Sequence, residues 1–149
     1  MIIKDFYTAF QRKDSAAMQA CYAPDARFAD PVFPSLNYEE TCAMWAMLVS
    51  AGKDLELSFS DVHLQGDHAS ANWQATYTFS ATGRKIINNI QANFELRDGK
   101  IYRHQDQFNF YRWAQQAFGP TGYLIGWTPF FQKKVQASAR RSLEKYMAR

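Results

Sequence analysis

Between Ile101 and Trp113 the chain reads I-Y-R-H-Q-D-Q-F-N-F-Y-R-W, with a histidine and an aspartate, His104 and Asp106, two residues apart. In an extended strand, residues two apart share a face. An imidazole beside a carboxylate has its tautomer held and its basicity raised, which suits proton abstraction next to a carbonyl. A third carboxylate, Asp30, lies far upstream in the run A-D-P-V. In an apolar cavity such carboxylates titrate upward, toward the range useful for acid–base work. Asp30, His104 and Asp106 are therefore the expected catalytic residues. The alternative is that His104 and Asp106 only satisfy each other in a core that binds nothing, because an unpartnered buried polar group costs roughly 1–3 kcal/mol.

The remaining chemistry is sparse. Trp45, Trp73, Tyr77, Asn88 and Phe108 fall on faces directed inward and are the expected substrate-binding residues. His63 and His68 fall on an outer face and beside a turn. Gly66, Gly83, Gly99 and Gly119 read as turn glycines, with no phosphate-binding loop among them. No serine sits in a strained elbow. The two cysteines, Cys21 and Cys42, have no metal-ligand spacing around them and read as buried thiols. Neither a cofactor nor a metal is expected.

The elements that must position these groups follow from periodicity. Tyr102, His104, Asp106, Phe108 and Phe110 form one face of a strand from Ile101 to Trp113, with Arg103, Gln105, Gln107 and Asn109 on the other. Upstream, Ala71, Trp73, Ala75, Tyr77 and Phe79 alternate, as do Ile86, Asn88, Ile90, Ala92, Phe94 and Leu96. Arg97-Asp98-Gly99 fits a three-residue hairpin, which would set Ala92 opposite His104 and Ile90 opposite Asp106. Leu55, Leu57 and Phe59 are out of phase with Val62 and Leu64, which predicts a bulge near Ser60 or Asp61.

Ahead of these strands, Ile3, Phe6, Tyr7 and Phe10 mark a helix over Ile2–Arg12. A second, capped by Asp14 or Ser15, carries Met18, Cys21 and Tyr22 and ends at Pro24-Asp25. Ala26–Asp30 reads as a short strand. Asn37 and Glu40 form a capping box for a third helix, with Met44, Trp45, Leu48 and Val49 as its stripe and Gly52 at its end. After Trp113 a short helix is broken by Gly119-Pro120 and Gly122. Thr128-Pro129 opens a last helix with Phe131, Val135, Ala139 and Leu143 inward, packed on the body or a partner; a mobile lid is the sharper alternative.

The chain is 149 residues long, 47% hydrophobic and 16% aromatic, enough for one domain with a ring-lined core. Its formal charge of +3 is concentrated at one end. Gln132–Arg149 holds six basic residues and one acid, Glu144, leaving eleven basic against thirteen acidic residues elsewhere. A basic helix can bind nucleic acid or anionic lipid. With no aromatic platform read beside the charges, a solvated face is the expectation, and neither nucleic acid nor membrane is expected as a partner. The chain carries no signal-peptide or membrane-spanning pattern, so a cytoplasmic protein is expected.

Helix, helix, short strand, helix and then long antiparallel strands is an α+β order. The runs F-Y-T-A-F-Q-R-K-D, Y-A-P-D-A-R-F-A-D-P-V and F-E-L-R-D-G-K-I resemble the nuclear transport factor 2-like superfamily, which includes ketosteroid isomerases, scytalone dehydratase and SnoaL-like polyketide cyclases. The resemblance implies a cone-shaped, curved antiparallel sheet wrapped around the N-terminal helices over residues 1–112. Residues 113–149 would add a C-terminal helical extension packed on the same domain. It implies a small cofactor-independent enzyme moving protons on a hydrophobic carbonyl compound, as isomerase, dehydratase or cyclase. The alternative is a ligand-binding or dimerisation module. In that alternative the polar outer sheet face, with Gln74, Thr76, Gln105 and Gln107 alternating along it, meets a partner sheet, and a homodimer through the sheet is expected. Asp30 matches the isomerases' general base. Their oxyanion-hole tyrosine and aspartic acid would fall at Phe6 and Ala92, so both donors are missing there. Scytalone dehydratase suggests a different pairing, with Asp30 orienting His104. In the cyclases a pocket aspartate acts as acid and base, a role for which Asp106 is the candidate.

Overall fold

A computed structural model describes residues 1–149. In chain order the elements are α1 (Ile2–Gln11), α2 (Ser15–Gln19), β1 (Tyr22–Ala29), α3 (Tyr38–Ala51), β2 (Glu56–Gln65), β3 (His68–Phe79), β4 (Arg84–Arg97), β5 (Lys100–Gln107), α4 (Phe110–Phe118), α5 (Pro120–Ile125) and α6 (Pro129–Met147). This is the α+β order expected. The five strands form one curved, open sheet in the order β1-β5-β4-β3-β2. It is antiparallel except at one edge, where β1 runs parallel to β5. The inner face closes over α1, whose Ile3, Phe6, Tyr7 and Phe10 are all buried. They meet Trp45 of α3, Trp73 of β3 and Phe94 of β4 in the main core.

Several local readings hold. Asn37 and Glu40 exchange side-chain and backbone bonds at the start of α3, and Gly52 caps its end. The register of β2 on β3 slips between Ser60 and His63, with Asp61 at a positive φ of 54°. Three readings are corrected. Pro24-Asp25 does not end a helix: α2 stops at Gln19, and β1 already begins at Tyr22, four residues before the expected strand. Parallel pairing with the distant β5 overrides the local stop signal. At the other end β5 stops at Gln107, because Asn109 turns the chain and its side chain caps α4. Phe110 therefore belongs to that helix and not to the strand face.

The third correction concerns register. The β4–β5 turn has two residues, Asp98 and Gly99, with φ of 51° and 75°, and Arg97 pairs with Lys100. Two successive positive φ values match the right-handed twist of a tight hairpin. Alone, that turn would send His104 outward. A bulge corrects it: Leu96 pairs with Ile101 but Glu95 with Arg103, leaving Tyr102 unmatched. The Tyr102 ring is held instead beneath the Arg97 guanidinium, 3.6 Å from its centroid. Phe94 thus faces His104 and Ala92 faces Asp106.

The chain beyond the sheet packs on the same body. Leu143 of α6 enters the main core. Phe131 of α6 joins Phe110, Trp113, Ala114 and Ala117 of α4 against Ile86 of β4 in a second cluster. Helix α4 runs across positions 112 and 113 without a break. Gly122, expected to break a helix, lies inside α5 and serves close approach: a Cβ there would overlap the Ala114 carbonyl. Gly122→Ala should therefore cost about 3 kcal/mol by overpacking, whereas Gly99→Ala, strained in φ but open in space, should cost about 1 kcal/mol. Urea unfolding of the two variants measures the difference.

Candidate active site

His104 and Asp106 lie sealed in the interior, with exposures of 2% and 3%. The bulge at Tyr102 puts both on the inner face of β5. The His104 ring is boxed by Phe94, Phe28 and Phe6 at centroid distances of 4.3, 5.0 and 5.7 Å, with Tyr22 and Trp45 stacked nearby. An imidazole and a carboxylate survive there because a chain of hydrogen bonds satisfies them. The Trp45 indole N–H donates to the Tyr22 hydroxyl oxygen at 2.9 Å. Tyr22 Oη and His104 Nδ1 are 2.8 Å apart. His104 Nε2 and Asp106 Oδ1 are 2.9 Å apart. The Trp73 indole N–H reaches the same Oδ1 at 3.5 Å.

Donor counting assigns the tautomer. An indole N–H can only donate, so Tyr22 accepts from Trp45 and has its own proton to give. That proton goes to His104 Nδ1, and the Nε2–H donates to Asp106. A doubly protonated ring would leave the Tyr22 O–H without an acceptor. Burial pushes the Tyr22 hydroxyl well above its ordinary range, so it remains a donor.

Asp30 is placed differently. It follows β1 at the start of the 30–36 loop and is only half-buried. Its Oδ1 accepts from the backbone N–H of Val32 at 2.7 Å and of Phe33 at 2.6 Å. Its second oxygen accepts no bond from the protein. Although part of its surface is open, dense apolar surroundings desolvate the carboxyl and push it up to about 7, with the Asp106 charge adding to the rise and the two backbone bonds opposing it. The expected pairing of Asp30 with His104 is not formed, since the histidine's two nitrogens are taken by Tyr22 and Asp106. What connects Asp30 to Asp106 is charge.

The expected binding residues divide in the same way. Trp45 and Trp73 are structural members of the buried chain. Tyr77, Asn88 and Phe108 lie outside that chain. Tyr77 and Phe108, with Val32, touch both hydrophobic clusters. The Tyr77 hydroxyl accepts from the Trp113 indole at 2.9 Å and feels the Asp30 charge. Asn88, buried with 8% exposure, makes no side-chain hydrogen bond, yet its amide is not sealed. Helix α6 straps the loop that follows Asp30. Gln132 and Gln136 both donate to the Pro31 carbonyl at 3.0 Å, and Arg140 pairs with Glu40. No group of three His, Cys, Asp or Glu side chains stands close enough to hold a metal ion.

Two residues escaped the sequence reading. Tyr22 was assigned to a helix, and nothing local signals its bond to a ring 82 positions away. Tyr7 reads from the sequence only as a member of the α1 stripe. Its hydroxyl is the sole fully sealed side-chain polar atom without a partner, and burial with the nearby Asp106 charge drives its titration far upward. Ala92, where the resemblance places an acid, faces Asp106 directly across the strand pair.

Comparison with known proteins agrees with this architecture. A family profile, the SnoaL-like domain, matches residues 3–104. A hypothetical protein of Catenulispora acidiphila with a ketosteroid isomerase-like fold, solved in complex with trimethylamine, superposes with a TM-score of 0.69 at 15% identity, covering 86% of this chain and 97% of that one. TsrD from Streptomyces laurentii gives 0.67 at 22% identity, covering 78% and 92%. A candidate polyketide cyclase from Xanthomonas campestris pv. campestris gives 0.63 at 21%, covering 78% and 93%. Identities this low establish the fold alone. No curated protein matches the chain in sequence.

Hydrogen-bond accounting separates the two buried tyrosines. Tyr22→Phe should cost about 2–3 kcal/mol, because it strands the Trp45 N–H and His104 Nδ1 together. Tyr7→Phe should be neutral or stabilising, because it removes a hydroxyl that has no partner. Denaturant melts of the two variants check the contrast.

Proposed function

This chain belongs to the SnoaL-like domain family, and from that premise we propose a small enzyme that moves a proton on a hydrophobic carbonyl compound, with Asp30 as the proton-transfer residue. The observation that carries the reading is the geometry of Asp30. One oxygen is pinned by two backbone N–H groups, the other accepts no bond from the protein, and the half-buried carboxyl lies within electrostatic reach of Tyr77, which packs against both apolar clusters. A carboxyl titrating near 7 is matched to abstracting and returning a proton at neutral pH.

The roles of the other residues follow from their burial. Asp106 touches no outside molecule; its sealed charge raises the affinity of Asp30 for a proton. His104 is a positioning residue, holding Asp106 through its Nε2–H. Tyr77 and Asn88 have donors the protein does not use and would bind the substrate carbonyl, while Val32 and Phe108 would supply apolar contact. In the step itself, the Asp30 carboxylate takes a proton from the carbon next to the carbonyl, and the C–H electron pair moves into an enolate stabilised by those donors. Returning the proton to another carbon completes an isomerisation. Expelling a β-hydroxyl as water completes a dehydration, and attack on a second carbonyl closes a ring. The family hosts several such outcomes on one scaffold, so the reaction class rests on the site and not on the fold.

The test is exchange of α-hydrogens for deuterium in a panel of enolisable hydrophobic ketones, followed by NMR. Because the base form of Asp30 is the active one, the rate should rise with pH and level off above a midpoint near 7. Asp30→Asn should slow exchange by about 100-fold or more. A parent protein inert toward every ketone, or an Asp30→Asn variant as fast as the parent, would refute the proposal.

A further inference from the structure

The corner between α5 and α6 has an inverted polarity. In the six-residue α5, the small residue Gly122 and the following Gly126 are turned toward Ala114 of α4. The large apolar residues therefore point away from the body. Tyr123, Leu124 and Ile125 are 59%, 74% and 41% exposed, and Trp127 and Phe130 both 66%. They are held in place: the Trp127 indole donates to the Leu124 carbonyl at 3.0 Å, and the Tyr111 hydroxyl donates to the Tyr123 carbonyl at 2.7 Å. Five large apolar side chains in eight residues make a contiguous patch of the kind that marks an interaction surface.

The surrounding charge indicates the partner. No charged residue occurs from Trp113 to Gln132. The first charges beyond the patch are Lys133 and Lys134, both exposed, and the Lys134 ammonium lies 5.4 Å from the Phe130 ring centroid. Farther along α6, Arg141 and Lys145 are exposed too. Leucine and isoleucine at a tip, tryptophan and tyrosine beside them and lysines behind form the order in which an interfacial anchor meets lipid: apolar into the acyl boundary, aromatic at headgroup level, cationic against anionic headgroups. A second copy docking by the same face would bring its own Lys133 and Lys134 against these, which is unfavourable. We propose that this corner seats the protein reversibly on an anionic lipid surface. The charge pattern alone points to a solvated helix without membrane contact; the exposed apolar side chains of the α5–α6 corner point the other way. No helix is long and apolar enough to cross a membrane, so the contact is superficial.

The experiment is co-sedimentation of the full chain with vesicles of phosphatidylcholine alone or with one part in three of phosphatidylserine, alongside solution mass. The parent should bind the anionic vesicles about tenfold more tightly than the neutral ones, and less tightly as salt is raised. Leu124→Glu and Trp127→Glu should each weaken binding about tenfold or more, with melting temperature unchanged because both side chains lie outside the packed body. Lys133→Glu with Lys134→Glu should abolish the preference for anionic vesicles. Failure of the parent to sediment with anionic vesicles overturns the proposal, as does equal binding to both kinds. A dimer in solution that Leu124→Glu converts to monomer, without vesicle binding, assigns the face to a second copy and overturns it as well.

Discussion

A carboxylate can sit inside an aromatic core only if something donates to it, and here that donor is the His104 Nε2–H. Much of the interior is arranged so that this bond can exist. His104 must be neutral with Nδ1 free to accept, so Tyr22 must donate, and Trp45 must supply the proton that Tyr22 accepts. Those residues come from β1, α3 and β5, which locks three elements to one another through a single run of bonds. A fully satisfied buried network specifies a unique packing, whereas a half-satisfied one would cost more than an apolar core. Burial is the main cause that raises the Asp30 carboxyl, and the negative charge this network fixes adds to the rise without any direct bond between the two acids.

Features with a local cause could be read from the chain. The α1 stripe, the Asn37–Glu40 capping box and the slip after Ser60 each depend on residues a few positions apart. So did the phase that put His104 and Asp106 on an inner face. The manner of achieving that phase was not legible. A two-residue turn and a bulge at Tyr102 give the same inward face as the three-residue loop expected, and alternation alone cannot distinguish them. Contacts between distant segments were likewise hidden. Tyr22 looked like the end of a helix because Pro24 and Asp25 are stop signals, and only pairing with β5 makes it a strand residue. The candidate site was legible as a set of residues but not as a division of labour, since nothing in the order of side chains says that Asp106 is sealed while Asp30 is half-open.

The C-terminal helix has two distinct faces. On one, Gln132 and Gln136 hold the Pro31 carbonyl, and Arg140 reaches Glu40, so α6 braces the loop that supplies the two backbone donors to Asp30. On the other, its start carries the lysines behind the exposed corner. The family match ends at residue 104, before this extension begins. The shared part thus holds Asp30 and His104, Asp106 lies two residues beyond it, and the added part braces the Asp30 loop and presents a surface of its own.

The account turns on an electrostatic claim: burial lifts the Asp30 carboxyl, and the sealed Asp106 charge lifts it further. Carboxyl carbon NMR of labelled protein, with the Asp30 signal assigned by its loss in Asp30→Asn, reads this directly. The midpoint should lie near 7 and fall when Asp106→Asn removes the charge, while remaining above that of an ordinary aspartate because burial persists. A midpoint near 4 in the parent, or one indifferent to Asp106→Asn, would contradict it.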